Sequence, residues 1–266
     1  MEIHPTAIVS PGARLAEGAV IHPYCVIGPH VSIGQGTVIG PHAVIDGWTT
    51  IGARNQIHPF VSIGQPPQDT SYKGEETHVV IGDDNTFKEG VTVHRGTPGG
   101  KTVTTIGNHN FFMAYAHVAH DCVVGNHVVM ANAATLGGHV HVGDHASLGG
   151  LSAVHQFARI GVHVFIGGLS AIRKDVPPFM LASGNPLQLY GPNVVGLRRA
   201  GISREVIQGL KKSYRILFRT PMLLEDAIAK LRHEVKPAAE VDTLVQFMQN
   251  PSRRGVMRLG HDASGA

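Results

Sequence analysis

"HVAHDCVVGNHVVMANAATLGGHVHVGDHASL", residues 117–148, carries an apolar residue at every sixth position: Val118, Val124, Met130, Leu136, Val142 and Leu148. A helix repeats at 3.6 residues and a plain strand at 2, so neither produces a strict six. A step of six, sustained over many turns, is the pattern of a parallel β-helix in which each hexapeptide supplies one short strand and one turn.

Outward from this stretch the same step runs back to Ile106 and forward to Ile172, and before a change of phase it includes Ile81, Phe87 and Val93. From Ile3 to Ile63 every sixth residue is aliphatic. Gly often follows the aliphatic position, as at Gly28, Gly34, Gly125 and Gly143, which suggests sharp turns there. Two residues before it the side chain is usually small, as at Ala19, Cys25, Ala116 and Cys122. A large and a small residue thus alternate inward, and three hexapeptides close one triangular coil. The expected architecture is a hexapeptide parallel β-helix over residues 1–185 and a small α-helical C-terminal domain over 186–266.

Two segments interrupt the rhythm, 65–80 ("QPPQDTSYKGEETHVV") and 94–104 ("HRGTPGGKTVT"). Loops extruded from a regular solenoid are candidates for binding. The "GTPGGKT" run is not a phosphate loop, because Gly96 and Gly100 enclose three residues where that motif needs four. Beyond residue 186, Ser203 can cap a helix with Ile207, Leu210, Tyr214, Leu217 and Phe218 on one face. Thr220-Pro221 is expected to begin a second helix and Val241 to Met248 to form a third, with the tail "HDASGA" disordered.

Of 266 residues, 33 are Gly and only 15% are charged, a composition suited to many short strands rather than one bulky core. The formal charge of +3 provides no stripe of the size nucleic acid needs, and an acidic small molecule or acidic partner fits better. Two cysteines cannot make a disulfide framework, and no stretch approaches the roughly 20 apolar residues of a membrane span. The expected setting is cytoplasmic, without membrane insertion.

Histidines at the third position after the aliphatic (His30, His42, His109, His127, His145, His163) read as solvated corners. Another group is different. Residues 18 apart fall on one edge in adjacent coils, about 4.8 Å apart, so His120-Asp121, Gly138-His139 and His155-Gln156 stack. His120 can act as a general base, since a neutral imidazole near pH 7 accepts a proton from a hydroxyl. Asp121 can orient it, and the Gly138 N–H can stabilise an oxyanion. A metal site recruited from His117, His120 and His139, as in β-helical carbonic anhydrases, and simple surface decoration remain as other readings.

At "AHVAHDC", "GGHV", "AVHQF" and "DVPPFMLASGNP", with the "QPPQDTSYKGE" loop and the "GPNVVGLRRAGISRE" junction, the chain resembles the UDP-N-acetylglucosamine acyltransferase family over residues 1–255. The resemblance implies a left-handed β-helix and a homotrimer with sites between subunits. It implies transfer of an (R)-3-hydroxyacyl group from acyl carrier protein to the 3-hydroxyl of UDP-N-acetylglucosamine at the start of lipid A synthesis. No separate cofactor is implied, the donor carrying its phosphopantetheine on acyl carrier protein. By matching position, His120 is the base, Asp121 its partner and Gly138 the oxyanion donor. Gln68, Asp69, His117, His139 and Gln156 match sugar or phosphopantetheine contacts, with His155 beside them. Asn193 and Arg199 match the junction that meets donor or nucleotide, and Gly168 matches the position that limits acyl length. Ser71, Val195 and Ala200 depart from the family pattern at a Lys, a Glu and an Arg. A related N-acyltransferase is a second reading, although that family carries an extra domain before its repeat; a β-helical scaffold subunit is a third.

Overall fold

A computed structural model describes residues 1–250 and 252–257; the tail expected to be disordered lies outside them. The chain forms a left-handed parallel β-helix, and each of the 26 inward repeat positions lies in its own short strand, from Glu2–Ile3 to Ala171–Ile172. The strands stack into three sheets of 11, 9 and 8 strands. We call these the first, second and third sheets, in the order in which the chain visits them from Glu2–Ile3, Ile8–Val9 and Arg14–Leu15. Register is 18 residues per coil, as in His117↔Thr135↔Ala153.

The interior follows the alternation of large and small side chains: Ile27, Met130 and Leu136 are fully buried, as are Cys25, Ala116 and Cys122 two positions before an aliphatic residue. Phe87 and Phe112 stack inside with centroids 4.8 Å apart. Buried asparagines extend the ladder, with Asn85 N–H donating to Asn55 Oδ1 at 2.9 Å and Asn110 N–H to Asn85 Oδ1 at 2.9 Å.

The turns differ from the expectation in one respect. The left-handed residue is the third after the aliphatic, not the glycine that follows it: His127, His139, His145 and Leu151 all have φ between 55° and 61°. Most of the glycines serve close approach between coils instead. At the corner between the third and first sheets, Asn and Asp side chains reach back to cap the N–H of the preceding coil, as in Asn108 N–H to Asn126 Oδ1 and Asn126 N–H to Asp144 Oδ1, both 2.8 Å. A Cβ on Gly107 or Gly125 would collide with those oxygens.

Strand pairing continues past residue 185: Met180–Ser183 and Gln188–Pro192 form an antiparallel extension of the first sheet. Antiparallel pairing has no hexapeptide signature, which is why the repeat does not announce it. Among the described residues four helices follow: α1 (Val194–Arg199), α2 (Arg204–Arg219), α3 (Leu224–Glu234) and α4 (Ala239–Gln249). Ser203 caps α2 by accepting from Val206 N–H. Helix α3 begins at Leu224 rather than at Pro221, without a side-chain cap, and α1 is too short to show a helical period. Tyr214 of α2 donates to the Leu189 carbonyl at 2.8 Å, fastening the helices to the hairpin. No helix among the described residues is long and apolar enough to cross a membrane.

Candidate active site

Both interruptions leave the same corner, between the second and third sheets. The chain departs after Ser62–Gln65 and returns at His78–Ile81, then departs after Thr92–His94 and returns at Val103–Ile106. The irregular parts are therefore 66–77 and 95–102, since His78–Ile81 and Val103–Ile106 are paired strands. The next coil places His120 and Asp121 at this corner, and the two after it bring Gly138-His139 and Gln156-Phe157. His139 N–H donates to the His120 carbonyl and Phe157 N–H to the Gly138 carbonyl, both at 3.0 Å.

Asp121 is fully buried, and its carboxylate accepts from His120 Nδ1 at 2.8 Å. The second loop closes around it: Thr97 Oγ1 donates at 2.6 Å, Lys101 N–H at 2.8 Å and Thr97 N–H at 3.1 Å. Gly100 packs so near that a Cβ there would strike the carboxylate. Burial opposes ionisation of Asp121, but the bonds from His120, Thr97 and Lys101 outweigh it and hold the group down at about 2. An ionised Asp121 keeps the shared proton on His120 Nδ1 and leaves Nε2 as the basic nitrogen.

Nε2 lies against Gly138, where a Cβ would come within 2.6 Å of it. Coil residues of this type on the neighbouring corner have their N–H capped by Asn or Asp oxygens, as described above. No such side chain caps Gly138, whose N–H has no acceptor among the described residues. A basic nitrogen and an unused N–H donor thus meet on one edge.

Around this pair stand His139, its ring edge-on to His120 at 5.1 Å and stacked on Phe157 at 4.5 Å, and His117, whose Nδ1 bonds Thr92 Oγ1 at 2.7 Å. Burial lowers the pKa of both. His94 is buried edge-on to His117 at 5.0 Å, and burial, then His117, His120 and Arg95, push it down to about 4. Asp69, on the first loop, accepts from Ser71 N–H and Oγ, both at 2.8 Å, which lowers its pKa and gives Ser71 a clear local role. Gln68, His155 and Gln156 are exposed along the same corner.

A metal reading changes its membership. His120, Asp121 and His139 offer donor atoms within 4.8 Å of one another, whereas His117 is turned to Thr92. The Asp121 oxygens are already saturated by four N–H and O–H groups, which suits an orienting carboxylate better than a metal ligand.

The remaining expected residues lie elsewhere on the prism. Asn193 caps α1 and donates to the His163 carbonyl at 3.1 Å; with Arg199 it lines a cavity of about 620 Å³ at the corner between the third and first sheets. Gly168 is exposed at the corner between the first and second sheets, its Cβ position 3.2 Å from the Gly150 carbonyl. One chain therefore does not unite the three groups.

Sequence reasoning missed Thr97, Lys101 and Thr104, whose hydroxyl accepts the Asp121 N–H at 2.8 Å. It also missed Arg95, buried between Trp48 and Tyr72 and donating to Tyr72 Oη at 2.9 Å, which joins the two loops. The "HRGT" run at the loop's start was the available signal.

Residues 175–257 match the family model described as UDP N-acetylglucosamine O-acyltransferase, domain 2. Residues 30–65 and 104–138 match the bacterial transferase hexapeptide model. The chain is 58% identical over 259 residues to the acyl-[acyl-carrier-protein]–UDP-N-acetylglucosamine O-acyltransferase of Syntrophobacter fumaroxidans, covering 97% of this chain and 100% of that one. It is 59% identical over 261 residues to the enzyme so described from Trichlorobacter lovleyi, with the same coverage. Among solved structures, the UDP-N-acetylglucosamine O-acyltransferase of Moraxella catarrhalis superposes with a TM-score of 0.93 at 43% identity, over 97% of this chain and 100% of that one. The UDP-N-acetylglucosamine acyltransferase of Bacteroides fragilis also gives 0.93, at 38% identity over 96% and 100%.

Proposed function

The chain belongs to the acyl-[acyl-carrier-protein]–UDP-N-acetylglucosamine O-acyltransferase family, and on that premise we propose that it moves an (R)-3-hydroxyacyl chain from acyl carrier protein to the 3-hydroxyl of UDP-N-acetylglucosamine, opening lipid A synthesis. His120 Nε2 takes the proton of the sugar hydroxyl as its oxygen attacks the thioester carbon. The Gly138 N–H receives the oxyanion of the tetrahedral intermediate. The C–S bond then breaks, and the imidazolium returns its proton to the departing phosphopantetheine sulfur. Asp121 stays ionised throughout and steadies the imidazolium. The thioester already carries the acyl group in a form open to attack, so the proposed chemistry calls for no cofactor. A carrier-protein donor and a nucleotide-sugar acceptor place the reaction in the cytoplasm.

The observation that carries this reading is the buried, loop-wrapped carboxylate holding one imidazole nitrogen while the ring packs against the glycine whose N–H is unused. Gln68, Asp69, His117, His139, His155 and Gln156 border the same corner and are assigned to the sugar and the phosphopantetheine arm.

A homotrimer completes the site. The corner between the first and second sheets presents Tyr24, Phe60, Tyr115, Leu151 and Leu169, 58–71% exposed, in a line along the helix axis. An apolar stripe of this extent suits burial against another copy, and closed three-fold symmetry would bring Gly168 and the Asn193–Arg199 junction of neighbouring chains to the His120 corner. Basic residues Arg198, Arg199, Arg204, Lys211 and Lys212 suit the acidic carrier protein.

Incubation with UDP-N-acetylglucosamine and a panel of 3-hydroxyacyl carrier proteins, followed by mass spectrometry, tests the reading. Product is expected, falling about 10²-fold or more in His120→Ala. Absence of product with every donor, from folded protein, would overturn it.

A further inference from the structure

At the corner between the third and first sheets, His109, His127, His145 and His163 form one continuous stack, with centroid spacings of 4.9, 4.7 and 4.6 Å and rings within 8° of parallel. Three of them, His127, His145 and His163, line the same 620 Å³ cavity as Asn193 and Arg199. His109, His127 and His145 are exposed, as solvated corners are, and His163 is half-buried. No carboxylate lines that cavity, and Arg199 is its one permanently charged group among the described residues.

We propose that this imidazole column is the proton-charged wall of the nucleotide cavity, so that the diphosphate of the acceptor binds together with a proton. The inference rests on the assignment of Asn193 and Arg199 to the nucleotide.

Parallel imidazoles less than 5 Å apart repel one another once charged. Burial and His145 lower the pKa of His163, in keeping with that repulsion, while Asp144 and Glu240 of α4 act in the opposite sense. At the far end of the column, Asp84 Oδ2 lies 3.9 Å from His109 Nε2, and Arg54 and Asp83 flank it. Asp83, Asp84 and Asp144 line an adjoining pocket that also includes His109, His127 and His145, so the column has carboxylates on that side and none on the side of the nucleotide cavity. A diphosphate beside His127, His145 and His163 would offset the repulsion and draw in a proton. A one-unit rise in the pKa of a single imidazole on binding makes affinity about tenfold greater at the acid end.

The test is the dissociation constant of UDP-N-acetylglucosamine at pH 6 and pH 8, by calorimetry in two buffers of different ionisation enthalpy to count protons. The sugar nucleotide carries only phosphodiesters, so it does not itself titrate in this range. Binding roughly three- to sixfold tighter at pH 6 than at pH 8, with net proton uptake, is expected, with the dependence lost in His145→Asn, a replacement that accepts the left-handed corner at φ 59°. Uridine should show no such dependence. Equal affinity at both pH values, or a dependence unchanged in both His145→Asn and His127→Asn, overturns the inference. If the protein turns over UDP-N-acetylglucosamine while affinity is flat with pH, only the column's role falls; if it neither binds nor turns over the nucleotide, the functional reading falls with it.

Discussion

Gly138→Ala separates two roles proposed above for one residue. The substitution keeps the backbone N–H, so oxyanion donation is retained, but it adds a methyl group 2.6 Å from His120 Nε2 and 3.1 Å from Nδ1. Ordinary contact needs roughly 3.5 Å, so the ring must retreat by about 1 Å. Gly138 is not among the residues with positive φ, so alanine brings no backbone strain of its own. The ring cannot withdraw freely, because Nδ1 is tied to Asp121 at 2.8 Å and Asp121 is itself held by the second loop. A misplacement of about 1 Å at the reacting centre costs on the order of 10² in rate, or about 2.7 kcal/mol of barrier. The expected result in a steady-state assay is kcat down about 10²-fold, KM for UDP-N-acetylglucosamine little changed, and a nearly unaltered unfolding midpoint. A kcat within threefold of the parent, from protein that folds normally, would refute the close packing of base on glycine as a catalytic requirement.

Asp121→Asn should lower kcat by about 10²-fold or more by weakening hold of the Nδ1 tautomer, and should cost about 1–3 kcal/mol in denaturant unfolding, because an amide NH₂ would face the Thr97 and Lys101 donors; full activity would remove the orienting role. Gly168→Met, adding a long side chain at the exposed corner between the first and second sheets, should shift donor preference toward shorter hydroxyacyl chains in a competition assay, and an unchanged product profile would exclude it as a length determinant. His94 has a folded pKa near 4 against about 6.5 unfolded; the unfolded chain therefore takes up a proton first. Its contribution is complete above pH 6.5 and is lost as pH falls toward 4, by roughly 3 kcal/mol. His94→Gln should flatten that part of the stability–pH curve, and parallel curves for the two proteins would show that His94 is not the group responsible.

The coil was legible because its core depends on one residue in six, and the 18-residue register needs nothing else to stack His120, Gly138 and Gln156. What the repeat could not reveal lies off that register. Thr97 and Lys101 reach Asp121 across separations of 24 and 20 residues, values set by the length of an irregular loop, while Thr104, 17 residues away, does so from the strand that follows it. The histidine column was visible as a spacing, but its meaning depended on α1, whose six residues are too few to show a helical period, closing a cavity beside it.

The two kinds of information meet at Asp121. A regular coil offers each corner residue one backbone partner per neighbouring strand, enough for an amide but too little for a buried carboxylate, which needs several donors to remain ionised. The chain leaves the solenoid at 95–102 in the coil just before the dyad and returns Thr97 and Lys101 to that carboxylate. Breaking the repeat there is thus what allows the next coil to carry an ionised Asp121 at full burial. The same loop presents Arg95 to Tyr72 of the first loop, so the segment that sustains the base's partner also positions the neighbouring wall. The interruption thus supports the dyad: a regular hexapeptide in its place would remove the Thr97 and Lys101 donors and raise the Asp121 pKa, leaving the His120 bond as its main support.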